Sequence, residues 1–170
     1  MSDGAIQWGL LAREAGLLLI CVLIALGAWW AGFVYTPALI ATLTTLQLGV
    51  YLFTTFRRVF NHINHDDMSI KACLTSLAVM VTFFVLAYAV DYTLLTAVDN
   101  ASLKNFDPPT LFYRFADGLY FSTVTFTATG FGEYVPMTYP AKTVVWGQMV
   151  LGFTTTVFAV SSFISLTDRD

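Results

Sequence analysis

From Ala15 to Phe56 the chain runs for 42 residues without an Asp, Glu, Lys or Arg. As one straight α-helix this run would extend about 63 Å, roughly twice the ~30 Å hydrocarbon core of a bilayer. It therefore has to turn back on itself. Pro37 marks the turn, because it cannot continue a helix arriving through Gly32 to Thr36 yet suits the first turn of the next one. Two membrane spans are predicted, near residues 15–34 and 38–57. A third begins after Lys71 and reaches about Val98, with Asp91 near its far end, where a carboxylate is expected to reach headgroups or water. A fourth runs from Thr143 to Thr167.

Composition supports lipid as the solvent. The chain is 57% hydrophobic and 11% charged, against roughly 25% charged in a soluble domain. With a net charge of −3 it offers no basic patch to displace counterions from phosphates, so no nucleic-acid partner is expected. Cys21 and Cys73 lie in apolar stretches and read as small buried hydrophobes rather than a disulfide framework. Leu17 to Leu26 could serve as a signal-peptide core. However, Asp3 and Glu14 offset Arg13, and the apolar stretch continues through Trp29 and Trp30 to Tyr35, so it is read as a retained span.

Orientation follows from the basic residues. Four spans put Arg13, Arg57, Arg58, Lys71 and Arg169 on one side and Lys104, Arg114 and Lys142 on the other, which makes both termini cytoplasmic by the positive-inside rule. The outer side also holds Asp91, Asp99, Asp107, Asp117 and Glu133 and is net acidic. The expected setting is the cell membrane, plasma or inner, with a multi-pass chain.

Between Asp117 and Glu133 lies an uncharged run of fifteen residues, Gly118 to Gly132. Even fully helical it would cover about 22 Å, too little to cross. Both flanks belong outside, so the segment is predicted to enter and return: a half-helix over about 115–127, after the extended Pro108-Pro109, followed by an irregular strand. Irregular backbone at membrane depth is tolerated where it is buried in protein or lines a water-filled path, and this segment therefore predicts a pore. Alternation of glycine in Thr129-Gly130-Phe131-Gly132 also suits a strand whose successive carbonyls point one way, since alternate residues then need φ values that glycine tolerates.

Thr129-Gly130-Phe131-Gly132-Glu133, preceded by the half-helix Tyr120-Phe121-Ser122-Thr123-Val124-Thr125-Phe126 and followed by Val135-Pro136, resembles the pore module of potassium channels. The resemblance covers about Lys71 to Leu166. It implies an all-α membrane fold of four transmembrane helices plus one re-entrant pore helix and an extended filter loop per subunit, assembled as a homotetramer. Residues 1–60 would form an N-terminal two-helix hairpin, 61–71 a cytoplasmic linker, and 72–170 the pore module, with an outer helix about 72–98, filter 128–132 and inner helix about 142–166. The ion-binding carbonyls would come from Thr127, Ala128, Thr129, Gly130, Phe131 and Gly132, with K⁺ as the bound ion. Tyr120 would support Glu133 at the outer mouth through a hydrogen bond. No other cofactor, no transition-metal site and no enzymatic centre is expected.

Three residues depart from the family pattern. Ala128 stands where these channels usually carry a Thr whose hydroxyl helps form the innermost ion site. Thr129 replaces the usual Val or Ile, and its hydroxyl needs a partner behind the filter. Glu133 is one methylene longer than the usual Asp. Ala128 leaves a non-selective monovalent cation channel as the nearest rival; a transporter subunit or a non-conducting assembly partner is a further one.

In the last span Gly152 is either a bending point for a gate or a site of close helix packing. If it faces the cavity, Phe153, Thr156 and Val160 line it as well, while Thr154 and Thr155 are expected to bond back to carbonyls one turn earlier. Only Thr167 to Asp170 follow, leaving no room in this sequence for a ligand-binding domain. The first two spans lack internal Arg, so weak voltage dependence is expected. His62 and His65, beside Asp66 and Asp67, could sense pH or hold a divalent ion, but read more simply as a solvated connector.

Overall fold

The computed structural model describes residues 70–167 together with Gly16, Leu23, Leu46, Gly49 and Val50. Apart from those five residues, the predicted hairpin at 15–57 lies outside the described residues, as do the linker with His62 and His65 and the last three residues. The described part is mostly helical. Helix α1 spans Ile70–Val98, α2 spans Leu111–Phe126 and α3 spans Tyr139–Thr167. Between α1 and α2 come a 3₁₀ turn, Asn100–Ser102, and a short strand β1, Leu103–Lys104, which pairs antiparallel with β2, Val135–Pro136.

Two of these helices, over Leu77–Val98 and Tyr139–Ser161, are long and apolar enough to cross a membrane. Helix α2 is not; its 16 residues give about 24 Å. It begins at Leu111, four residues before the expected start. Thr110 supplies the reason: it sits in extended backbone after Pro108-Pro109, and its hydroxyl accepts from the Tyr113 N–H.

In a bilayer, helices gain little by hiding apolar surface from one another, because lipid is equally apolar; close packing and interhelical hydrogen bonds hold them. Helix α1 presents Phe84, Tyr88 and Tyr92 at four-residue spacing to one face. Their rings form a ladder with centroids 4.6 and 6.2 Å apart, which passes through Phe121 of α2 at 4.8 Å to Tyr134, 6.0 Å further on. Gly118 lets α2 approach α1 so closely that an added Cβ would lie 2.8 Å from the Ala89 carbonyl oxygen. Ser122, one turn later on α2, donates to the Val85 carbonyl at 2.8 Å.

Asp91 corrects the expectation made for it. It is 2% exposed, inside the core rather than at a headgroup. Helix α1 continues two turns beyond it to Val98, and position 91 falls on the face shared with Tyr88, Tyr92 and Leu95. The loop between α1 and α2 is tied down by its own bonds. Asp99 accepts from the Ala101 N–H, and Arg114 of α2 donates to the Thr96 carbonyl and to Asn100 Oδ1, each at 2.8 Å, satisfying a carbonyl in the last turn of α1.

Candidate functional site: the loop after the short helix

Helix α2 ends in a hydrogen-bonded reversal. Thr127 caps it in αR backbone, the Ala128 N–H donates to the Thr125 carbonyl at 3.1 Å, and the Thr129 N–H donates to the Val124 carbonyl at 3.0 Å. These two bonds have the pattern of a Schellman motif, with Ala128 at the position where a left-handed residue, usually glycine, is required. Ala128 accordingly has φ +53°. The left-handed conformation recurs at Gly130, φ +58°, and Gly132, φ +78°. Every second residue from 128 to 132 is thus left-handed, one position more than the glycines alone announced. Nothing lies within 4 Å of a Cβ placed on Gly130 or Gly132, so backbone conformation, and not lack of room, demands glycine there.

The hydroxyls behind the loop form a relay. Thr127 donates to the Thr123 carbonyl at 2.9 Å, which consumes its one proton; the 2.8 Å contact with Thr129 must then have Thr129 as donor. Thr129 thereby finds its partner within its own chain, and Thr127 belongs with the helix cap. The residues beyond are exposed: Ala128, Thr129, Gly130, Gly132 and Glu133 all face outward, and the Phe131 ring is 70% exposed.

At the far end of the loop, Asn105, itself left-handed at φ +62°, donates from Nδ2 to the Glu133 carbonyl at 3.1 Å. The Met137 N–H donates to the Ser102 carbonyl at 2.9 Å, and with the β1–β2 pairing this fastens the loop before α2 to the segment after Gly132. Tyr120 and Glu133 come together as the sequence suggested. Partial burial, then the Glu133 charge and its hydrogen bond, raise the Tyr120 phenol above its ordinary pKa. Tyr134 is raised in the same sense by partial burial first, then by the Asp117 and Glu133 carboxylates. Asp117 and Tyr134 are thus neighbours at the mouth that sequence reasoning did not join; nothing in their spacing announces the contact, which the turn after Gly132 creates. Behind the loop is a pocket of about 190 Å³ whose walls include Tyr120, Val124, Phe131, Tyr134, Val145 and Met149.

Gly152 of α3 packs directly against α2. A Cβ there would collide with the Phe126 carbonyl oxygen, so glycine is required for contact with the last residue of α2. Gly152 is buried against α2, whereas Phe153, Thr156 and Val160 are exposed on another side of α3. Gly152 therefore does not share a free surface with the other three. Thr156 and Thr154 bond back to the Gly152 and Val150 carbonyls.

A short helix that cannot span, packed between two that can, and a following loop of alternating backbone handedness make the arrangement expected of a pore. Comparison of the sequence with protein families agrees: the model described as Ion channel (Ion_trans_2) matches residues 77–169, more than half of the chain. The chain belongs to the ion channel family. Comparisons with curated proteins and with solved structures give no match. The protein is thus a membrane protein whose channel domain spans α1, α2 and α3, and a passive ion pathway is the activity its family carries.

Proposed function

We propose that the channel is a homotetramer selective for potassium, in the cell membrane with both termini cytoplasmic, and that the carbonyls of the 128–132 loop replace the hydration shell of K⁺. The observation that carries this reading is the alternation of left-handed φ at Ala128, Gly130 and Gly132 in a loop whose residues stay exposed within one chain. An extended strand with every second residue left-handed can turn successive carbonyls to one side. One such strand offers an ion only one wall. A closed ring needs several copies about an axis, and closed cyclic symmetry supplies them. The C-terminal end of α2, at Phe126, would bring partial negative charge toward the same axis and lower the cost of a cation at midplane.

Flux into liposomes tests this directly. With reconstituted channel, a K⁺ gradient is expected to dissipate rapidly and an equal Na⁺ gradient to persist; equal rates would sink the potassium assignment. Native mass spectrometry should give four chains per assembly.

A non-selective cation channel is favoured by one observation, the methyl of Ala128 at the inner end of the loop, where no hydroxyl is available. Under that reading Ala128→Ser should raise the K⁺ to Na⁺ permeability ratio. Serine is the better probe than threonine here, because a β-branched residue is poorly accommodated at φ +53°.

A further inference from the structure

Four groups from three helices meet in the membrane interior behind α2. Gln148 of α3 is fully buried; its Nε2 donates to the Ser122 carbonyl at 3.0 Å and to Ser122 Oγ at 2.7 Å. Its Oε1 accepts from the Tyr92 hydroxyl of α1 at 2.6 Å. Ser122 Oγ passes its own proton to the Val85 carbonyl at 2.8 Å. The proton inventory fixes the amide orientation. A carbonyl only accepts, so the amide nitrogen must face Ser122 and the oxygen must face Tyr92. Every donor in the set then has an acceptor, which is the condition under which a polar network in a low-dielectric interior is stabilising.

The placement of this network matters more than its strength. Gln148 precedes Gly152 by one turn of α3, and Ser122 precedes Phe126 by one turn of α2. One stripe of α3 thus meets one stripe of α2 twice, by hydrogen bond at Ser122 and by backbone contact at Phe126. Phe126 is the last residue of α2, and the cap that launches the 128–132 loop follows it immediately. An apolar side chain at 148 would suit lipid and packing equally well; only an amide can hold a donor and two acceptors on different helices at once.

We propose that Gln148 is a positioning residue for ion selectivity: by bridging Tyr92 and Ser122 it holds α2 at the height and angle that place the 128–132 loop around the ion. It touches no ion itself, and the proposal rests on the potassium-channel reading above.

The test compares full-length wild type with Gln148→Met, Gln148→Glu and Tyr92→Phe, all reconstituted in bilayers. Bi-ionic reversal potentials give the K⁺ to Na⁺ permeability ratio, and hydrogen exchange of the 111–127 amides reads the hold on α2 independently of conduction. Gln148→Met should lower the ratio about tenfold or more and speed exchange in α2 by a similar factor, because it removes all three hydrogen bonds that Gln148 makes. Gln148→Glu, kept protonated by burial, replaces the amide N–H with one O–H donor and should stay within about twofold of wild type. Tyr92→Phe removes one arm and should fall between them. A Gln148→Met channel with wild-type ratio and wild-type exchange would overturn the proposal. If that variant does not assemble, a wild-type ratio in Tyr92→Phe would overturn it instead. A wild type that is silent or unselective would fail the potassium reading itself, and the selectivity role with it, whereas an unchanged variant beside a selective wild type fails the Gln148 role alone.

Discussion

The two ends of one sixteen-residue helix and its loop live under opposite constraints. Along its packed side, α2 is fully provided for by its own chain: Gly118 meets the Ala89 carbonyl, Ser122 bonds to α1 and α3, and Phe126 is covered by Gly152. A few residues later, from Ala128 to Glu133, side chains and glycines alike stand exposed, although Thr129 and Glu133 keep hydrogen bonds to their own chain. On the packed side, space decides which residue is tolerated; in the loop, backbone angle does. The contrast separates what the subunit completes by itself from what, on the proposed reading, further subunits and the ion would complete.

Substitutions can break this contrast in a graded way. The largest effect is expected at Gly152. Gly152→Ala would place a methyl against a backbone carbonyl that cannot yield without moving α2, an overpacking cost of about 1–3 kcal/mol. Thermal unfolding in detergent should fall sharply and liposome flux with it. Gly118→Ala should behave the same way to a lesser degree, since a Cβ there would press less closely on its nearest atom, the Ala89 carbonyl oxygen. Next comes Gly130→Ala, where there is room but φ is +58°; about 1 kcal/mol of local strain should leave the unfolding temperature almost unchanged while K⁺ flux drops. If Gly130→Ala unfolded the protein as Gly152→Ala does, the distinction between space and angle would be wrong.

At Ala128 the sign reverses. Ala128→Gly matches the left-handed cap position and should be neutral to stabilising by up to about 1 kcal/mol, whereas Ala128→Thr should destabilise. Paired thermal melts would separate them. Asn105→Ala removes one exposed hydrogen bond to the Glu133 carbonyl, worth about 1 kcal/mol or less, and should loosen the outer loop as faster exchange near residues 133–137.

The smallest effect is electrostatic. The Tyr134 phenol is raised by partial burial and then by Asp117 and Glu133, so the folded state keeps that proton when the unfolded chain, at about 10, has begun to lose it. Its contribution is present below pH 10 and drains as pH rises through the folded value. Tyr134→Phe should therefore flatten the alkaline limb of a stability profile above pH 10 and leave the neutral region unchanged.

How much of this was legible beforehand differs by residue. The ruler of charge-free runs located α1, α3 and the segment too short to span, because a helix has a fixed rise and a bilayer a fixed thickness. Glycine at 130 and 132 was legible because φ leaves its mark on residue choice. Ala128 was not, since its left-handed angle comes from the cap bonds to Val124 and Thr125, and alanine carries no sign of it. Gln148 was passed over for the same kind of reason. A lone amide in an apolar helix reads as nothing until Tyr92 and Ser122, 56 and 26 residues away, are brought to it. Asp91 was misplaced because run lengths say that a carboxylate is near a boundary without saying where the helix ends.

The sequence by itself therefore determined what scales with length and local angle: the solvent, the two apolar spans of the channel domain, and the point where the backbone must be irregular. Tertiary structure alone decided what depends on which faces meet. It made Gly152 a packing contact against α2, buried Asp91, and joined Gln148 to two other helices. Rise per residue and φ preference are properties of the chain, whereas a contact between residues far apart in sequence exists only once three helices have closed around it.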